Sequence, residues 1–354
     1  MSPILVTGCA GFIGFHVTRR LLEQGRPVVG IDSLSNYYNV SLKRDRIAQL
    51  EFPQLFQFAR LDLADRDEAR RLFDAHSFES VIHLAAQAGV RYSIDHPESY
   101  IDSNLTAFGN ILEGCRHGDV SHLLYASSSS VYGANRTSPF STHHRTDQPI
   151  SLYAATKRAN ELMAYTYSSL FGLPTTGMRF FTVYGPWGRP DMALFRFTSA
   201  MLEGREIDLY NFGDMRRDFT YIDDVVEAVV RLFEQGAAWK PLICADSSEA
   251  RGDRQVPWRL LNVASGRPMS LGEMVASLEK HLGLPAKRQL LPLQPGDIRE
   301  TSADIEPLAQ EIGYRPKVHL DEGIRRFVEW YLHYHKIEHP AARSVSEKKG
   351  TRTS

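Results

Sequence analysis

Short runs of β-branched and apolar residues alternate with longer amphipathic segments along the first half of the chain. This alternation is typical of βαβ units, in which helices cover both faces of a parallel sheet. It predicts six strands, at residues 4–7, 28–31, 55–59, 80–84, 123–126 and 175–180. It also predicts four helices, at 12–24, 65–76, 102–117 and 151–171. The predicted fold class is therefore α/β, with a Rossmann-type doubly wound parallel sheet.

The regular alternation ends near Pro186, and shorter elements follow. Apolar periodicity predicts helices at 193–203, 222–235, 270–281 and 321–335, with a strand at 207–210. We expect residues 1–185 to form a Rossmann domain to which some later segments return, and residues 186–338 to form a smaller, interleaved C-terminal α/β lobe. The polar stretch 236–257 is expected to be a surface excursion, and residues 339–354 a disordered tail.

Charge and cysteine content narrow the classes of function. The 41 basic and 42 acidic residues give a formal net charge of -1, which argues against binding nucleic acid through bulk electrostatics. The three cysteines, Cys9, Cys115 and Cys244, are far apart and lack metal-ligand spacing. We therefore expect no disulfide framework, no metal site and a cytoplasmic location. No apolar stretch is long enough to span a membrane, so no membrane association is expected.

A glycine-rich turn follows the first predicted strand and precedes the first predicted helix. Gly8, Gly11 and Gly14 recur at intervals of three. In a dinucleotide-binding turn, the first glycine permits a tight bend, the second lets the backbone approach the pyrophosphate, and the third lets helix and strand pack closely. The helix N-terminus then offers N–H groups and a favourable dipole to the phosphates. A tight turn that binds no ligand is the alternative when the glycines are taken alone.

Two acidic residues follow predicted strands at positions suited to a dinucleotide. Asp32 ends the second strand, about twenty residues after the turn, where a carboxylate accepts hydrogen bonds from a ribose diol. An acid there also repels the additional phosphate of NADP, so the predicted cofactor is NAD. The alternative for Asp32 is an ordinary strand-end residue that opens a turn. Asp62 follows the third strand and is predicted either to face the adenine or to cap a helix N-terminus.

Tyr153 and Lys157 lie four residues apart in a predicted helix, so their side chains share one face. A tyrosine has a pKa of about 10 in water, and a nearby ammonium group lowers that pKa by stabilising the phenolate. Such a pair supplies a base that deprotonates an alcohol while hydride leaves its carbon. Ser128 lies at the carboxyl end of the fifth predicted strand, where open α/β sheets bind their ligands. A half-exposed helix face and a self-capping serine loop are the structural alternatives.

Six motifs together resemble one protein family. They are GCAGFIG (8–14), HLAAQAGVRYS (83–93), SSSSVYG (127–133), YAATK (153–157), RFFTVYGPWGRPDMA (179–193) and RRDFTYIDD (216–224). In this order they resemble the extended short-chain dehydrogenase/reductase superfamily and, within it, the UDP-glucuronate 4-epimerases. The resemblance extends from about Ile4 to Tyr331. It implies a bound NAD, a catalytic triad of Ser128, Tyr153 and Lys157, and a nucleotide sugar held between two lobes.

The residues beside the implied catalytic hydroxyl distinguish among the reactions of the superfamily. Dehydratases that resemble this chain carry Asp and Glu directly after that hydroxyl, and decarboxylases usually carry Glu at the second position. This chain has Ser129 and Ser130 there. UDP-galactose epimerases typically have Asn at the position of Thr182. The resemblance therefore favours epimerisation of a UDP-hexuronate over dehydration, decarboxylation or a neutral hexose.

Arg189 is the predicted contact for the carboxylate of the sugar, because a guanidinium group binds a carboxylate through two parallel hydrogen bonds. Ser129, Ser130 and Thr182 are predicted to add hydroxyl donors. Oxidation at C4 of a glucuronate gives a β-keto acid, which readily loses carbon dioxide. A clamp that holds the carboxylate out of the cleavage geometry would protect that intermediate. The alternatives are that Arg189 is a surface loop residue or that it binds the diphosphate.

The remaining predicted contacts divide between the substrate and the cofactor. Arg91 and Arg217 are predicted to bind the nucleotide sugar, because forked cationic donors suit phosphate oxygens. Asp297 resembles a family position near the ribose, and a turn residue is the alternative. Groups next to the glycine turn and at strand ends complete the predicted cofactor site: Phe12, Ile13, Leu63, Leu84, Ala85 and Ala86.

The predicted function is NAD-dependent conversion of UDP-glucuronate to UDP-galacturonate by inversion at C4, through a 4-keto intermediate. A UDP-glucuronate decarboxylase and a UDP-N-acetylglucosamine 4-epimerase are the enzymatic alternatives. A non-catalytic NAD-binding sensor is the alternative from another class, and the intact pair of Tyr153 and Lys157 argues against it. The superfamily resemblance also implies a homodimer built from helices such as the one predicted at 151–171.

Overall fold

The structure is a computed structural model that describes residues 1–236, 256–294 and 298–341. The predicted excursion at 236–257 lies outside the described residues except for residues 236, 256 and 257. The same is true of the predicted tail from residue 342 onward. Asp297, which was a predicted substrate contact, also lies outside them.

A seven-stranded, wholly parallel sheet forms the centre of the molecule. Its strands are β1 (Ile4–Thr7), β2 (Val28–Asp32), β3 (Phe56–Arg60), β4 (Ser80–His83), β5 (Leu123–Ser128), β6 (Thr175–Phe180) and β10 (Trp258–Val263). Their order across the sheet is β10-β6-β5-β4-β1-β2-β3. The chain winds one way from β1 to β3 and the other way from β4 to β10, so a crevice opens between β1 and β4 at the carboxyl edge. The predicted doubly wound α/β fold is confirmed.

Helices cover both faces of this sheet because successive residues of a buried strand point to opposite sides. In β1, Ile4 and Val6 join one apolar core, and Leu5 joins the other. The first core is closed by α1 (Phe12–Glu23) and α9 (Ile222–Gln235). The second core is closed by α3 (Arg66–Ala75), α6 (Ala107–His117) and α7 (Leu152–Phe171).

The second half of the chain builds two small sheets and also returns to the main one. One small sheet contains β11 (Pro268–Ser270), β9 (Arg216–Tyr221) and β7 (Thr182–Tyr184), and the other pairs β8 (Glu206–Leu209) with β12 (Lys287–Leu290). The helices that accompany them are α8 (Ala193–Leu202), α10 (Leu271–Leu282), α11 (Glu306–Ile312) and α12 (Leu320–Tyr334). β10 lies at the edge of the main sheet beside β6, and α9 packs against α1.

The sequence prediction omits several elements for identifiable reasons. The helix α2 (Val40–Ala48) has little apolar periodicity, and it buries Lys43 and Arg46 beside Leu42. The predicted helix at 102–117 is wrong in its first turn, because a π-helical stretch, Ile101–Thr106, precedes α6. Two single-turn helices, α4 (Tyr92–Asp95) and α5 (Pro97–Tyr100), lead into that stretch. The strands of the two small sheets are short or polar, so most give no clear alternation of apolar and polar residues.

Candidate active site

A large cleft lies at the carboxyl edge of the main sheet, where the strand order reverses. Most of the predicted site residues line it: Gly8, Gly11, Phe12, Ile13, Gly14, Asp32, Asp62, Leu63, Leu84, Ala85, Ala86, Ser128, Tyr153, Lys157 and Arg189. The other predicted site residues that the structure describes are not part of this lining: Arg91, Ser129, Ser130, Thr182 and Arg217. Residues from distant parts of the chain therefore converge on one cleft.

The turn between β1 and α1 requires glycine on steric grounds. Gly8 has a left-handed φ of +69°, and a Cβ atom there would lie 2.8 Å from the backbone nitrogen of Ala85. A Cβ atom at Gly14 would lie 2.0 Å from the carbonyl oxygen of Gly8. The N-cap of α1, Gly11, makes no side-chain hydrogen bond to the helix. The first N–H groups of α1 therefore lie at the cleft without a side-chain cap, as an anion site requires.

Asp32 lies at the end of β2 with its carboxylate held by backbone N–H groups. Oδ2 accepts a hydrogen bond from the N–H of Ala10 at 3.2 Å, and Oδ1 accepts one from the N–H of Leu34 at 2.8 Å. Lys43 of α2 places its Nζ 3.8 Å from Oδ1 and donates to the hydroxyl of Ser35 at 2.9 Å. Each carboxylate oxygen has two lone pairs, so Asp32 can still accept hydrogen bonds from a ribose diol. The sequence analysis misses Lys43, because the weak pattern of α2 does not indicate which residues turn inward.

Asp62 lines the cleft but does not cap a helix. Its Oδ1 accepts a hydrogen bond from the N–H of Ala64 at 3.0 Å. The N-cap of α3 is Asp65, which accepts from the N–H groups of Asp67 and Glu68 at 2.9 Å each. The N-cap alternative for Asp62 is therefore wrong, and its contact with adenine stays a prediction.

Ser128, Tyr153 and Lys157 meet at the carboxyl end of β5. Tyr153 and Lys157 project from one face of α7, which begins after Ser151 caps the N–H of Ala154 at 3.1 Å. The hydroxyl of Ser128 is hydrogen-bonded to Tyr153. Lys157 is buried, and its Nζ donates to the carbonyl oxygen of Ala126 at 2.9 Å. The three side chains that the family resemblance implied as a triad are therefore neighbours.

The electrostatics of this cluster differ in one respect from the sequence expectation. Burial raises the pKa of Tyr153, while the hydrogen bond with Ser128 and the positive charge of Arg189 oppose that rise. Burial also lowers the pKa of Lys157 to about 8. The sequence analysis assigned stabilisation of the phenolate to Lys157. In the structure the positive charge of Arg189 opposes the rise in the pKa of Tyr153, and the ammonium group of Lys157 donates to the carbonyl oxygen of Ala126.

Arg189 lines the cleft with its guanidinium group already held by a carboxylate. Nε donates to Oδ1 of Asp191 at 3.0 Å, and Nη2 donates to Oδ2 at 2.5 Å. The hydroxyl of Tyr37 donates to the same Oδ2 at 3.1 Å. Burial raises the pKa of Asp191, but the charge of Arg189 outweighs it and leaves that pKa lowered. The sequence analysis misses both partners, although the spacing Arg-Pro-Asp places a carboxylate two residues after Arg189.

The predicted hydroxyl donors lie at different distances from the cleft. The hydroxyl of Ser130 accepts a hydrogen bond from that of Ser128 at 3.2 Å, so Ser130 contacts the candidate catalytic serine. Thr182 lines a small apolar cavity that also borders Arg189 and is continuous with the main cleft along Phe12. Ser129 belongs to the 3₁₀ turn Ser129–Tyr132 and is not part of the lining of either cavity.

Arg91 and Arg217 lie away from the cleft lining. The guanidinium group of Arg91 lies 4.7 Å from the centre of the Tyr210 ring, in a cation–π contact between the two halves of the chain. Arg217 donates to the carbonyl oxygens of Arg216 and Arg299 at 2.9 and 3.1 Å. Their contacts with a diphosphate therefore stay predictions.

The cleft fits a dinucleotide at both of its ends. The glycines of the turn leave the room that a pyrophosphate needs, and a Cβ atom at Gly8 or Gly14 would collide with backbone. The uncapped N-terminus of α1 suits the phosphates, and Asp32 suits the adenosine ribose. Tyr153 and Ser128 line the same cleft, at the place where the reactive end of the dinucleotide would meet the substrate.

The described residues, 1–236, 256–294 and 298–341, contain neither a candidate membrane-spanning helix nor a candidate metal site. In these ranges no helix combines the length and the apolar character needed to cross a bilayer. The same ranges hold no group of three or more His, Cys, Asp or Glu side chains that could bind a metal ion. Cys9 and Cys115 are buried free thiols.

Comparison with known proteins identifies the family of this chain. The sequence profile of the NAD dependent epimerase/dehydratase family matches residues 4–242. Protein CapI of Staphylococcus aureus is 50% identical over 334 residues, which cover 94% of this chain and 99% of that protein. UDP-glucuronate 4-epimerase 6 of Arabidopsis thaliana is 46% identical over 343 residues, which cover 95% of this chain and 72% of that protein.

A solved structure extends the similarity to the fold. The UDP-glucuronic acid 4-epimerase of Bacillus cereus, in complex with UDP-glucuronic acid and NAD, superposes with a TM-score of 0.83 at 32% identity. The match covers 94% of this chain and 99% of that one. The resemblance inferred from the six motifs is confirmed, and the chain belongs to the NAD-dependent epimerase/dehydratase family.

Proposed function

We propose that this protein is an isomerase that inverts C4 of UDP-glucuronate and so interconverts it with UDP-galacturonate. The observation that carries the proposal is the meeting of Tyr153, Ser128 and Arg189 on one cleft beside the glycine turn. Tyr153 and Ser128 supply acid–base chemistry at a hydroxyl, and Arg189 supplies a cation for a carboxylate. Relatives at 46% identity and a solved structure at 32% identity are named for this reaction.

Tyr153 performs the proton transfers of the reaction. Its phenolate accepts the proton of the C4 hydroxyl and later returns a proton to the same oxygen. Ser128 is hydrogen-bonded to Tyr153 and orients the phenol, while Arg189 favours its ionised form. The glycine turn and Asp32 would hold NAD, which would supply reversible hydride transfer at C4. Because no net oxidation occurs, the chain needs to retain its cofactor rather than exchange it.

Arg189 gives the site its preference for a uronate. Two of its nitrogens, Nε and Nη2, already bind Asp191, so the edge that carries Nη1 is the part of the guanidinium group not used in that pair. A sugar carboxylate at that edge would form a charge-assisted hydrogen bond. Such a bond keeps the carboxylate from aligning for loss of carbon dioxide while the ketone is present. Ser129 and Ser130 supply no acid to the neighbourhood, which favours epimerisation over elimination.

Product analysis with the purified holoenzyme tests the proposal. UDP-glucuronate is incubated with the protein, and the nucleotide sugars are separated and identified by NMR and mass spectrometry. We expect a product of unchanged mass with C4 inverted. Loss of carbon dioxide would identify a decarboxylase instead, and turnover of UDP-N-acetylglucosamine alone would identify an amino-sugar epimerase. A protein that binds NAD but converts none of these substrates would be a sensor.

We further propose that the protein is a homodimer that associates through the outer face of α7. That face exposes Leu162, Tyr165 and Leu170, whereas apolar side chains of this size are usually buried. Light scattering of the wild-type protein should give the mass of a dimer. Leu162→Glu should give a monomer, whereas Phe212→Glu, at an exposed apolar residue elsewhere, should leave the mass unchanged.

The chemistry of the product also suggests where the protein acts. A nucleotide-activated galacturonate is a glycosyl donor, so the reaction that consumes it belongs to the glycosyltransferases that build polysaccharides. We place the protein in the cytoplasm, in accord with the free thiols of Cys9 and Cys115. Cell fractionation with an antibody to the protein tests this location.

A further inference from the structure

Arg46 is a fully buried arginine of α2 whose hydrogen-bond partners among the described residues are carbonyl and hydroxyl oxygens rather than carboxylates. Its guanidinium group donates to the carbonyl oxygen of Ala10 at 2.9 Å and to the hydroxyl of Tyr38 at 2.8 Å. It also donates to the carbonyl oxygens of Trp187 at 2.6 Å and Gly188 at 3.2 Å. A buried guanidinium group that binds three carbonyl oxygens from two distant places in the chain fixes the relative positions of those two segments.

The carbonyl oxygens that Arg46 binds belong to the loop that carries Arg189. The preceding carbonyl oxygen, that of Pro186, is 3.0 Å from Nε2 of His16. A carbonyl oxygen only accepts, so Nε2 of His16 carries the proton and donates. Burial lowers the pKa of His16 to about 3, so the ring stays neutral at physiological pH. Three consecutive carbonyl oxygens directly before Arg189 are therefore held by side chains of α1 and α2.

The conformation of the same loop needs this restraint. Trp187 has a left-handed φ of +62°, which a residue with a Cβ atom adopts only when its surroundings enforce it. The indole packs against Phe15 of α1 at 5.6 Å between ring centres, and against Trp330 and Tyr334 of α12 at 5.4 and 5.2 Å. Ring packing positions the side chain of Trp187, and Arg46 positions its peptide group.

The other end of the Arg46 contacts lies in the glycine turn. The peptide of Ala10 sits between Gly8 and Gly11, and its carbonyl oxygen is bound by Arg46. The N–H of the same residue is bound by Asp32 at 3.2 Å. One residue of the dinucleotide turn is therefore held by a buried cation on one side and a buried anion on the other. A displacement of Arg46 would move this turn and the Arg189 loop together.

We propose that Arg46 is a positioning residue that couples the dinucleotide turn to the substrate loop and so holds Arg189 in register with the cofactor site. Its part in uronate turnover rests on the proposed function. Its part in holding the turn does not depend on the identity of the substrate. We therefore expect a substitution of Arg46 to change both the retention of NAD and the positioning of the substrate carboxylate. A substitution that affects only the dinucleotide turn, or only the Arg189 loop, should change only one of the two.

Two properties of the holoenzyme report on the two ends of the coupling. The first is the rate at which NAD leaves the protein during dialysis, followed by its absorbance after denaturation. The second is the fraction of UDP-glucuronate turnovers that end in loss of carbon dioxide. In such a turnover the C5–C6 bond of the 4-keto uronate breaks, its electron pair goes to C5, and C5 takes a proton from water. The hydride is then not returned, so the cofactor stays reduced, and the sugar becomes a 4-keto pentose.

Arg46→Met removes every contact and Arg46→Lys keeps the charge but cannot reach all the carbonyl oxygens together. We expect Arg46→Met to raise both the NAD release rate and the fraction of carbon dioxide loss about tenfold, the scale of one lost hydrogen bond from a charged donor. Arg46→Lys should fall between Arg46→Met and the wild type in both. If Arg46→Met does not fold, Arg46→Lys supplies the same comparison.

Matched variants separate positioning from general destabilisation. His16→Leu releases only the loop, so it should raise the fraction of carbon dioxide loss and leave NAD release unchanged. Leu112→Ala lies in the apolar core on the far face of the sheet and lowers stability without affecting the dinucleotide turn or the Arg189 loop. It should change neither the NAD release rate nor the fraction of carbon dioxide loss.

Arg46 variants that behave like Leu112→Ala, with a lower melting temperature and both properties unchanged, would overturn the proposal. A change in NAD release alone would also overturn it, because the loop would then be independent of Arg46. If the wild type leaves UDP-glucuronate unconverted, the proposed function fails. In that case NAD release in Arg46→Met still tests the contact with the turn.

Discussion

Arg189 and Asp191 form a two-pronged ion pair inside the candidate active site, with Nε and Nη2 of the arginine on the two carboxylate oxygens of the aspartate. Both side chains are mostly buried, with exposed fractions of 23% and 27%. The pair fixes the plane of the guanidinium group before any substrate arrives. A substrate carboxylate therefore meets a cation with a set orientation, and the site is organised before binding.

Asp191→Asn should weaken this organisation. The amide offers Arg189 one acceptor in place of two, so the guanidinium group gains freedom to rotate. We expect kcat/KM for UDP-glucuronate to fall about tenfold, equivalent to about 1.4 kcal/mol of transition-state stabilisation. Steady-state kinetics of the purified variant provide the measurement. Glu306→Gln, which changes a carboxylate that Arg315 binds with a two-pronged geometry away from the cleft lining, serves as the control and should retain wild-type kinetics. Equal losses in the two variants would contradict a specific role for Asp191.

Tyr153→Phe should abolish turnover while the protein still contains NAD. The substitution removes the only atom of Tyr153 that can accept the C4 proton, and general base catalysis contributes about 10² to 10⁴ in rate. Product formation and cofactor content are measured on the same preparation. Tyr165→Phe, at an exposed tyrosine of the same helix, should keep both. Turnover by Tyr153→Phe at more than a tenth of the wild-type rate would refute the assigned base.

Gly14→Ala should destabilise the protein and displace the cofactor turn. The added Cβ atom would lie 2.0 Å from the carbonyl oxygen of Gly8, so the helix and the turn would have to separate. We expect a loss of about 1–3 kcal/mol in the free energy of unfolding, as for other overpacked sites, together with loss of bound NAD. Urea denaturation and cofactor content provide the measurements. Gly272→Ala in α10, where the added Cβ atom would lie 3.7 Å from Oγ of Ser270, should be neutral or stabilising.

Stability should fall as the pH is lowered from 6.5 towards 3. His83 and His122 are buried, and burial lowers the pKa of each to about 3, from the value of 6.5 of an unperturbed histidine. The unfolded chain therefore binds protons in this interval that the folded chain does not. The stabilisation is fully present above pH 6.5, and it is lost as the pH falls, by up to about 1.4 kcal/mol per pH unit for each histidine.

Urea denaturation at pH 7 and pH 5 tests this dependence. His122→Gln should reduce the loss of stability between the two pH values, because one proton uptake on unfolding is removed. The side chain of His122 also forms a hydrogen bond with Thr176 at 2.8 Å, so the variant is compared with itself at the two pH values. His143→Gln, at an exposed histidine, should show the wild-type dependence. An unchanged dependence in His122→Gln would contradict the assignment.

Local patterns made much of the site predictable. The glycine spacing indicates the dinucleotide turn because a close approach of helix, strand and phosphate excludes a Cβ atom at particular positions. The spacing of Tyr153 and Lys157 indicates a shared helix face for the same local reason. The helices of the first half were also predictable where apolar residues recur with helical period. The prediction failed for α2, whose buried residues are Lys43 and Arg46 together with one apolar residue, Leu42.

By itself, the sequence determined the doubly wound fold, the position of the dinucleotide turn and the membership of the family, because each depends on residues close together in the chain. The tertiary structure decided which charges meet. It turned Lys157 towards Ala126, paired Arg189 with Asp191, and brought Tyr37 to the same aspartate. It also brought the carbonyl oxygens of Ala10 and Trp187 to Arg46. Those contacts join segments up to 154 positions apart. Their geometry is set by packing of the whole core, and no local spacing encodes it.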